Sequence, residues 1–163
     1  MTVTTIAERG TAPGAASPAA IEALTNAVAA EVRLLEDLIG VMRKQRLSVG
    51  SDDLQGVDDS VFATHRILVT LGEARRQRRS LGQRIAGTED LGLRALDDVL
   101  GEGMTDTLKE ARDGLRAAAL ILAREVEMNR QILRSALSTG GDLMRGLYGV
   151  PDGTGTYRAD PRA

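Results

Sequence analysis

Apolar residues recur every seven positions from Ile21 to Val49, and this period constrains the fold more than any other feature of the chain. Seven residues share the pattern: Ile21, Leu24, Val28, Leu35, Leu38, Met42 and Val49. Such a series is an a/d seam, which is typical of helices packed side by side at a shallow angle. Ser17 before Pro18 is a favourable helix start, with serine as the N-cap and proline at the first helical position.

A second helical pattern follows a polar break. Residues 50–53 (Gly-Ser-Asp-Asp) combine a helix end with a helix start, and the sequence allows either a turn or only a kink there. The apolar positions of the second pattern are Leu54, Val57, Val61, Leu68, Leu71, Leu81 and Ile85. Residues 86–104 are punctuated by glycine and predict a short helix over residues 91–100, then a loop at residues 101–103.

The last pattern begins at Thr105 and Asp106 and, if continuous, spans roughly 43 residues, or about 65 Å. Gly140 and Gly141 are a weak point within it. Its stripe comprises Leu108, Ala111, Leu115, Leu122, Val126, Leu133, Leu137, Met144 and Leu147. No segment alternates with period two, so no strand is predicted. The predicted fold class is all-α, an elongated antiparallel bundle or hairpin of long helices.

The chain length suits one domain with tails. Residues 1–16 are rich in Thr, Ala, Gly and Pro, and we predict a disordered N-terminal extension. Residues 17–148 form the predicted helical domain, and residues 149–163 form a flexible C-terminal tail.

Composition excludes several classes of function. The net charge is −2, which gives no whole-chain argument for binding nucleic acid or an anionic membrane. There is no cysteine, so disulfides and thiolate chemistry are excluded. The N-terminus has no basic start followed by an apolar run, and the longest apolar run, residues 117–123, is too short to span a bilayer. We therefore expect no secretory signal and no stable membrane insertion.

No residue set points to catalysis. His65 is the only histidine, so a zinc site would need mostly carboxylates, and we interpret it as a surface or seam residue. Residues 87–92 have the glycine spacing of a phosphate loop but lack the lysine and hydroxyl residue that should follow. The acid pairs at 52–53, 58–59 and 97–98 point about 100° apart on a helix, so they do not converge. We predict no enzyme activity, no metal site and no cofactor.

Residues 75–79 (Arg-Arg-Gln-Arg-Arg) carry the strongest local charge. Nucleic acid or an acidic lipid surface would be a possible ligand. We favour a solvated last turn of a helix, because cations stabilise the negative end of the helix dipole and no aromatic residues are interleaved. No nucleic-acid partner is therefore predicted.

The last helix carries a wider apolar arc than one neighbouring helix needs. Ile121, Met128 and Ile132 form a second stripe, offset by about 100° from the main one. Two interpretations are equally favoured by the spacing. The helix either contacts two partners within the bundle, or it keeps one face for an amphipathic helix of another protein.

Four segments together resemble the FlgN-like flagellar type III export chaperones. They are EVRLLEDLIGVMRKQRLSVGSDDLQGVDD, LVTLGEARRQRRSLGQRI, MNRQILRSALSTGGDLMRGLYG and GTYRADPRA. The resemblance is one of pattern and order over residues 20–157. In the second segment Leu71, Glu73 and Arg76 or Arg79 stand in comparable places. In the tail, Thr156 and Tyr157 resemble the family's terminal motif.

The resemblance implies a small, helical, cytoplasmic, non-enzymatic protein. Such chaperones bind the C-terminal helical region of the hook-associated (hook–filament junction) proteins, prevent their premature self-association and deliver them to the flagellar export gate. The implied cargo-binding residues are Leu122, Val126, Asn129, Ile132, Leu133, Leu137, Met144 and Leu147. Tyr157 is the implied contact for the export gate, and Tyr148 offers a rival alignment for the family's tyrosine.

Two other functions remain open from the residues alone. The seam at Ile21 to Val49 is equally suited to a self-associating structural coiled-coil protein, whose extra stripe would be its own oligomer interface. Nucleic-acid binding through residues 75–79 is the other alternative.

Overall fold

The computed structural model describes residues 16–87, 92 and 95–148, without the side chains of residues 142 and 144–148. Helix α1 spans Pro18–Gly50 and α2 spans Leu54–Ala86. A short helix, α3, spans Leu96–Leu100 and continues into a 3₁₀ turn, and α4 spans Asp106–Tyr148. The described residues contain no strand, and the all-α prediction is confirmed.

The structure decides two details of the sequence prediction. Gly92 is not helical and α3 begins only at Leu96, so the short helix is shorter than residues 91–100. α4 continues through Gly140 and Gly141, so the weak point is not a break. The N-terminal extension, apart from Ala16, and the C-terminal tail lie outside the described residues.

Side-chain caps fix the starts of both α1 and α2. Ser17 accepts a hydrogen bond from the backbone N–H of Ala20 at the start of α1. After α1 the backbone turns through Asp52, with a φ of 55°, and the Asp53 carboxylate accepts from the N–H of Gly56 at 2.9 Å. A Cβ atom at Gly56 would collide with the side chains of Asp53 and Ser48. Residues 51–53 therefore form a complete turn, not a kink.

Helix α1 is the central helix, because both α2 and α4 pack along it. The predicted seam is confirmed for its six positions from Ile21 to Met42, which are all buried. α2 runs antiparallel to α1, so that Arg78 meets Glu31. α4 runs parallel to α1, since Gly114 lies against Val32 and Glu125 meets Arg43 further along both helices. The parallel α1–α4 pair was not anticipated from the sequence.

Buried polar groups set the register between α1 and α4. The Glu125 carboxylate accepts hydrogen bonds from Arg43 Nε at 2.8 Å and Arg46 Nη1 at 2.6 Å. The Asn129 amide donates to the backbone carbonyl of Met42 at 2.8 Å and accepts from Arg46 at 2.9 Å. Any other register would leave these groups buried without partners, which costs about 1–3 kcal/mol for each neutral group. Polar residues in a seam specify register in this way.

Because of this register, α4 extends beyond the rest of the molecule. Asn129 lies beside Arg46, only four residues before α1 ends at Gly50. Beyond Leu133, α4 therefore has no α1 residue beside it over about 15 residues, or roughly 22 Å. The side chains of residues 133–141 are all exposed.

Replacing Glu125 with glutamine will destabilise the fold in a pH-dependent manner. Hydrogen bonds from Arg43 and Arg46 hold the pKa of the Glu125 carboxyl below its usual value. The stabilisation is therefore present above the unfolded-state pKa and is lost as the pH falls through the lowered, folded-state pKa. We expect Glu125→Gln to lower Tm by several degrees at about pH 7, and this difference to shrink below about pH 4.

Circular dichroism melting across this pH range measures the effect. Glu127→Gln is the matched control, because Glu127 is exposed on the same helix and contacts only Gln131. If Glu125→Gln lowered Tm by the same amount at neutral and at acid pH, the ionised Glu125 carboxylate would not be the source of the stabilisation.

Candidate functional site

An open groove separates α2 from α4. The two helices lie along α1 and barely meet each other, so α1 forms the floor between them. At one end the groove deepens into a recess of about 840 Å³, which we call the basic recess. Its lining includes Arg75, Arg78 and Arg79 from α2, Arg112, Arg116 and Ala119 from α4, and Glu31 and Leu35 from α1.

The walls of the groove become aliphatic away from the basic recess. Residues seven apart lie on nearly the same face of a helix, with a drift of only about 20°. On α2, Leu68 lies seven residues before Arg75, and Val61 lies seven residues before Leu68. On α4, Val126 lies seven residues after Ala119, and Leu133 lies seven residues after Val126. Both helices therefore present branched aliphatic side chains to the groove.

We call this part the aliphatic groove and define it by its wall residues, which are Leu54, Val61, Leu68, Val126, Leu133 and Leu137. Their exposed fractions range from 38% to 79%. Met42 is buried and follows Leu35 by seven residues along α1, which continues the apolar floor. Isolated exposed leucines are normal, but facing rows of them mark an interaction surface.

The residues that the family resemblance implied for cargo binding lie in different environments in the structure. Val126, Leu133 and Leu137 are exposed in the aliphatic groove. Leu122 packs partly buried against the core, Ile132 is half-buried, and Asn129 is buried in its contacts with α1. The side chains of Met144, Leu147 and Tyr148 lie outside the described residues, and so does Tyr157.

The wide apolar arc on α4 uses one side against α1, along which α4 packs, while the backbones of α4 and α2 approach each other only slightly. Among the long helices that the structure describes, α1 is the one that packs closely along two others. The wall formed by α2 was not predicted, because Leu54, Val61 and Leu68 belong to the same apolar pattern as Leu71, which is buried. The sequence did contain a signal, since α2 carries more apolar positions than its contact with α1 needs.

A buried charge at the floor was also missed. Glu31 is 2% exposed and contacts Arg78 at 2.6 Å and Arg75 at 3.9 Å. Its position was visible in the sequence, because Glu31 lies midway between Leu24 and Leu38 in the seven-residue series. A charged residue at a seam position requires a partner of opposite charge.

Residues 75–79 are therefore not the last turn of a helix. α2 continues to Ala86, and the arginine in its last turn is Arg84. Arg75 and Arg78 instead neutralise Glu31 within the fold. The interpretation as a helix-end charge cluster was wrong, because the helix is longer than the charge pattern indicated.

The remaining candidates stand apart from one another. His65 is exposed, and no group of three or more His, Cys, Asp or Glu side chains in the described ranges could hold a metal ion. Gly87 ends α2 with a φ of 70°, and residues 88–91 of the glycine-spaced loop lie outside the described residues. None of the helices that the structure describes combines the length and apolar character that a bilayer-spanning segment needs.

The described part of the chain is thus an all-α arrangement with exposed aliphatic side chains along α2 and α4. The FlgN family model, described as FlgN protein, matches residues 20–163. The chain belongs to the FlgN family, and the resemblance read from its four segments is confirmed. No curated protein and no solved structure gives a significant match.

Membership of the family establishes the general function. FlgN proteins are chaperones of flagellar assembly and are not known as enzymes. The chain is therefore a flagellar export chaperone, and its partners are flagellar proteins.

Proposed function

We propose that this chaperone binds the C-terminal helical region of the hook–filament junction proteins in the cytoplasm and delivers them to the flagellar export gate. Occupying that region prevents the junction proteins from self-associating before export. The observation that supports this proposal most strongly is the aliphatic groove. It consists of two facing rows of exposed side chains over an apolar floor, and none of the helices that the structure describes lies between them.

An amphipathic helix would complete a four-helix arrangement by filling this groove. The gain is the apolar area removed from water, about 25 cal/mol per Å² before the costs of ordering and association are subtracted. The six wall residues are aliphatic, with no aromatic side chain among them. Aromatic side chains dominate the tightest interfaces, so an aliphatic groove is consistent with a cargo that must later be released.

Within the implied cargo-binding set, we assign two roles. Val126, Leu133 and Leu137 contact cargo directly, and Met144 and Leu147 continue the same stripe along the protruding end of α4. Leu122, Asn129 and Ile132 act indirectly. Leu122 packs against the core and Asn129 donates a hydrogen bond to α1, which holds α4 in the register that opens the groove, and Ile132 is half-buried on the same helix.

Leu133→Asp and Leu137→Asp will each weaken cargo binding at least about tenfold, because each places a charge in an apolar interface. Titration calorimetry with the C-terminal fragment of a junction protein from the same genome measures the effect. Circular dichroism will report an unchanged helix content, since both side chains are exposed in the free protein.

Met128→Asp is the matched control. Met128 has an exposed fraction of 41%, close to the 38% of Leu133, and lies on the same helix. It points about 140° away from Leu133, outside the groove. Equal losses in Met128→Asp and Leu133→Asp would place the binding surface elsewhere. The absence of any heat with the unmodified chaperone would remove the proposed partner.

Self-association is the alternative that the same measurements address. The protruding end of α4 carries the exposed Leu137 and Leu143, which a second copy would also cover. Light scattering distinguishes the two functions, because a stable monomer that binds the fragment is an export chaperone and not a structural coiled coil.

We further propose that Tyr157 contacts the export gate. A tyrosine offers apolar area and a hydroxyl group with only two side-chain torsions to fix, which suits a short recognition segment. Tyr157→Ala will leave folding and cargo binding unchanged while lowering the amount of junction protein exported. Tyr148→Ala is the control, because Tyr148 is the other tyrosine that could align with the family's terminal tyrosine. Normal export in Tyr157→Ala would show that the tail tyrosine is passive.

A further inference from the structure

The basic recess carries more positive charge than the fold uses. Five arginines and three carboxylates line it, the carboxylates being Glu31, Asp97 and Asp113. Glu31 pairs with Arg78 and Arg75, and Arg112 pairs with both Asp97 and Asp113. Among the ion pairs between described residues, Arg79 and Arg116 take no part, and both side chains are exposed. Two guanidinium groups on opposite walls are therefore left for a ligand.

The recess is also the closed end of the groove. α3 lies between α2 and α4 in the chain, and through Asp97 it lines this end of the groove. Leu96 of α3 is buried in the core, and Asp97 lines the recess while it pairs with Arg112. At the other end, α1 stops at Gly50 and only α4 continues. A helix lying in the groove therefore ends at the recess and can continue only in the opposite direction.

The charge of the recess selects which end of a helix it receives. The last carbonyl groups of a helix carry roughly half a negative charge, and the first N–H groups carry the opposite charge. Cations stabilise the carboxyl end, and arginine binds carboxylates with two parallel hydrogen bonds. An amino-terminal helix end would place positive charge beside Arg79 and Arg116.

We propose that the basic recess receives the carboxyl-terminal end of the partner helix, together with the carboxylates on its last turn. The partner thus lies with its chain direction opposite to that of α4, its aliphatic stripe in the aliphatic groove and its preceding residues beside the protruding end of α4. This inference rests on the proposed function and adds to it the direction of the bound helix and the chemistry at its end.

Charge reversal tests the chemistry. The double variant Arg79→Glu/Arg116→Glu will bind the C-terminal fragment of the junction protein about tenfold more weakly at low salt, and the difference will shrink as salt rises. The matched control is Arg76→Glu/Arg124→Glu, which makes the same charge change on the same two helices. Arg76 and Arg124 are exposed, form no ion pair with a described residue, and are not among the residues that line the recess. Equal loss in both double variants would overturn the proposal.

Spin labels test the direction. The chain has no cysteine, so Asp113→Cys beside the recess and Gln55→Cys near the far end each give one labelling position. With the isotopically labelled fragment, a label at 113 will broaden the resonances of its last residues, and a label at 55 those of residues further from its carboxyl end. The reverse pattern would overturn the proposal. Failure of the unlabelled protein to bind the fragment at all would instead count against the proposed partner.

Discussion

The packing of α1 against two long helices is the contact on which the rest of the structure depends. α1 is the helix along which both α2 and α4 lie, and it supplies most of the buried leucine, isoleucine and valine side chains among the described residues. Because α2 and α4 each use α1 and not each other, the space between them stays open. The groove is thus a consequence of an arrangement in which the three long helices that the structure describes leave open the place of a fourth.

Polar contacts decide where each part of that groove lies. Glu125 and Asn129 fix α4 against α1 in a parallel register, and this register carries α4 beyond the end of α1. Glu31 fixes α2 through Arg78 and places the arginines of α2 at the closed end of the groove. A purely apolar seam would allow neighbouring registers at little cost, and the apolar and basic parts of the groove would then not be aligned.

The sequence predicted the helices well, because the seven-residue period, the Ser17 cap and the break at residues 50–53 are local signals. It predicted the seam of α1 for the same reason. It did not predict which stripes stay uncovered, since Leu68 and Leu71 follow the same pattern but only Leu71 is buried. That distinction depends on α2 and α4 both choosing α1 as their neighbour. The role of Asn129 was missed likewise, because a polar residue in a stripe has the same spacing whether it faces a partner or α1.

We propose that cargo covers the groove between α2 and α4, and methyl NMR of the full chain during titration with the C-terminal fragment of a junction protein measures this. If cargo covers the groove, the methyl groups of Val61, Leu68 and Leu133 will show large shift changes. Those of Val69 and Ile121, which are also exposed but point away from the groove, will show small ones. Changes confined to Val69 and Ile121, with the groove methyl signals unmoved, would show that cargo binds elsewhere.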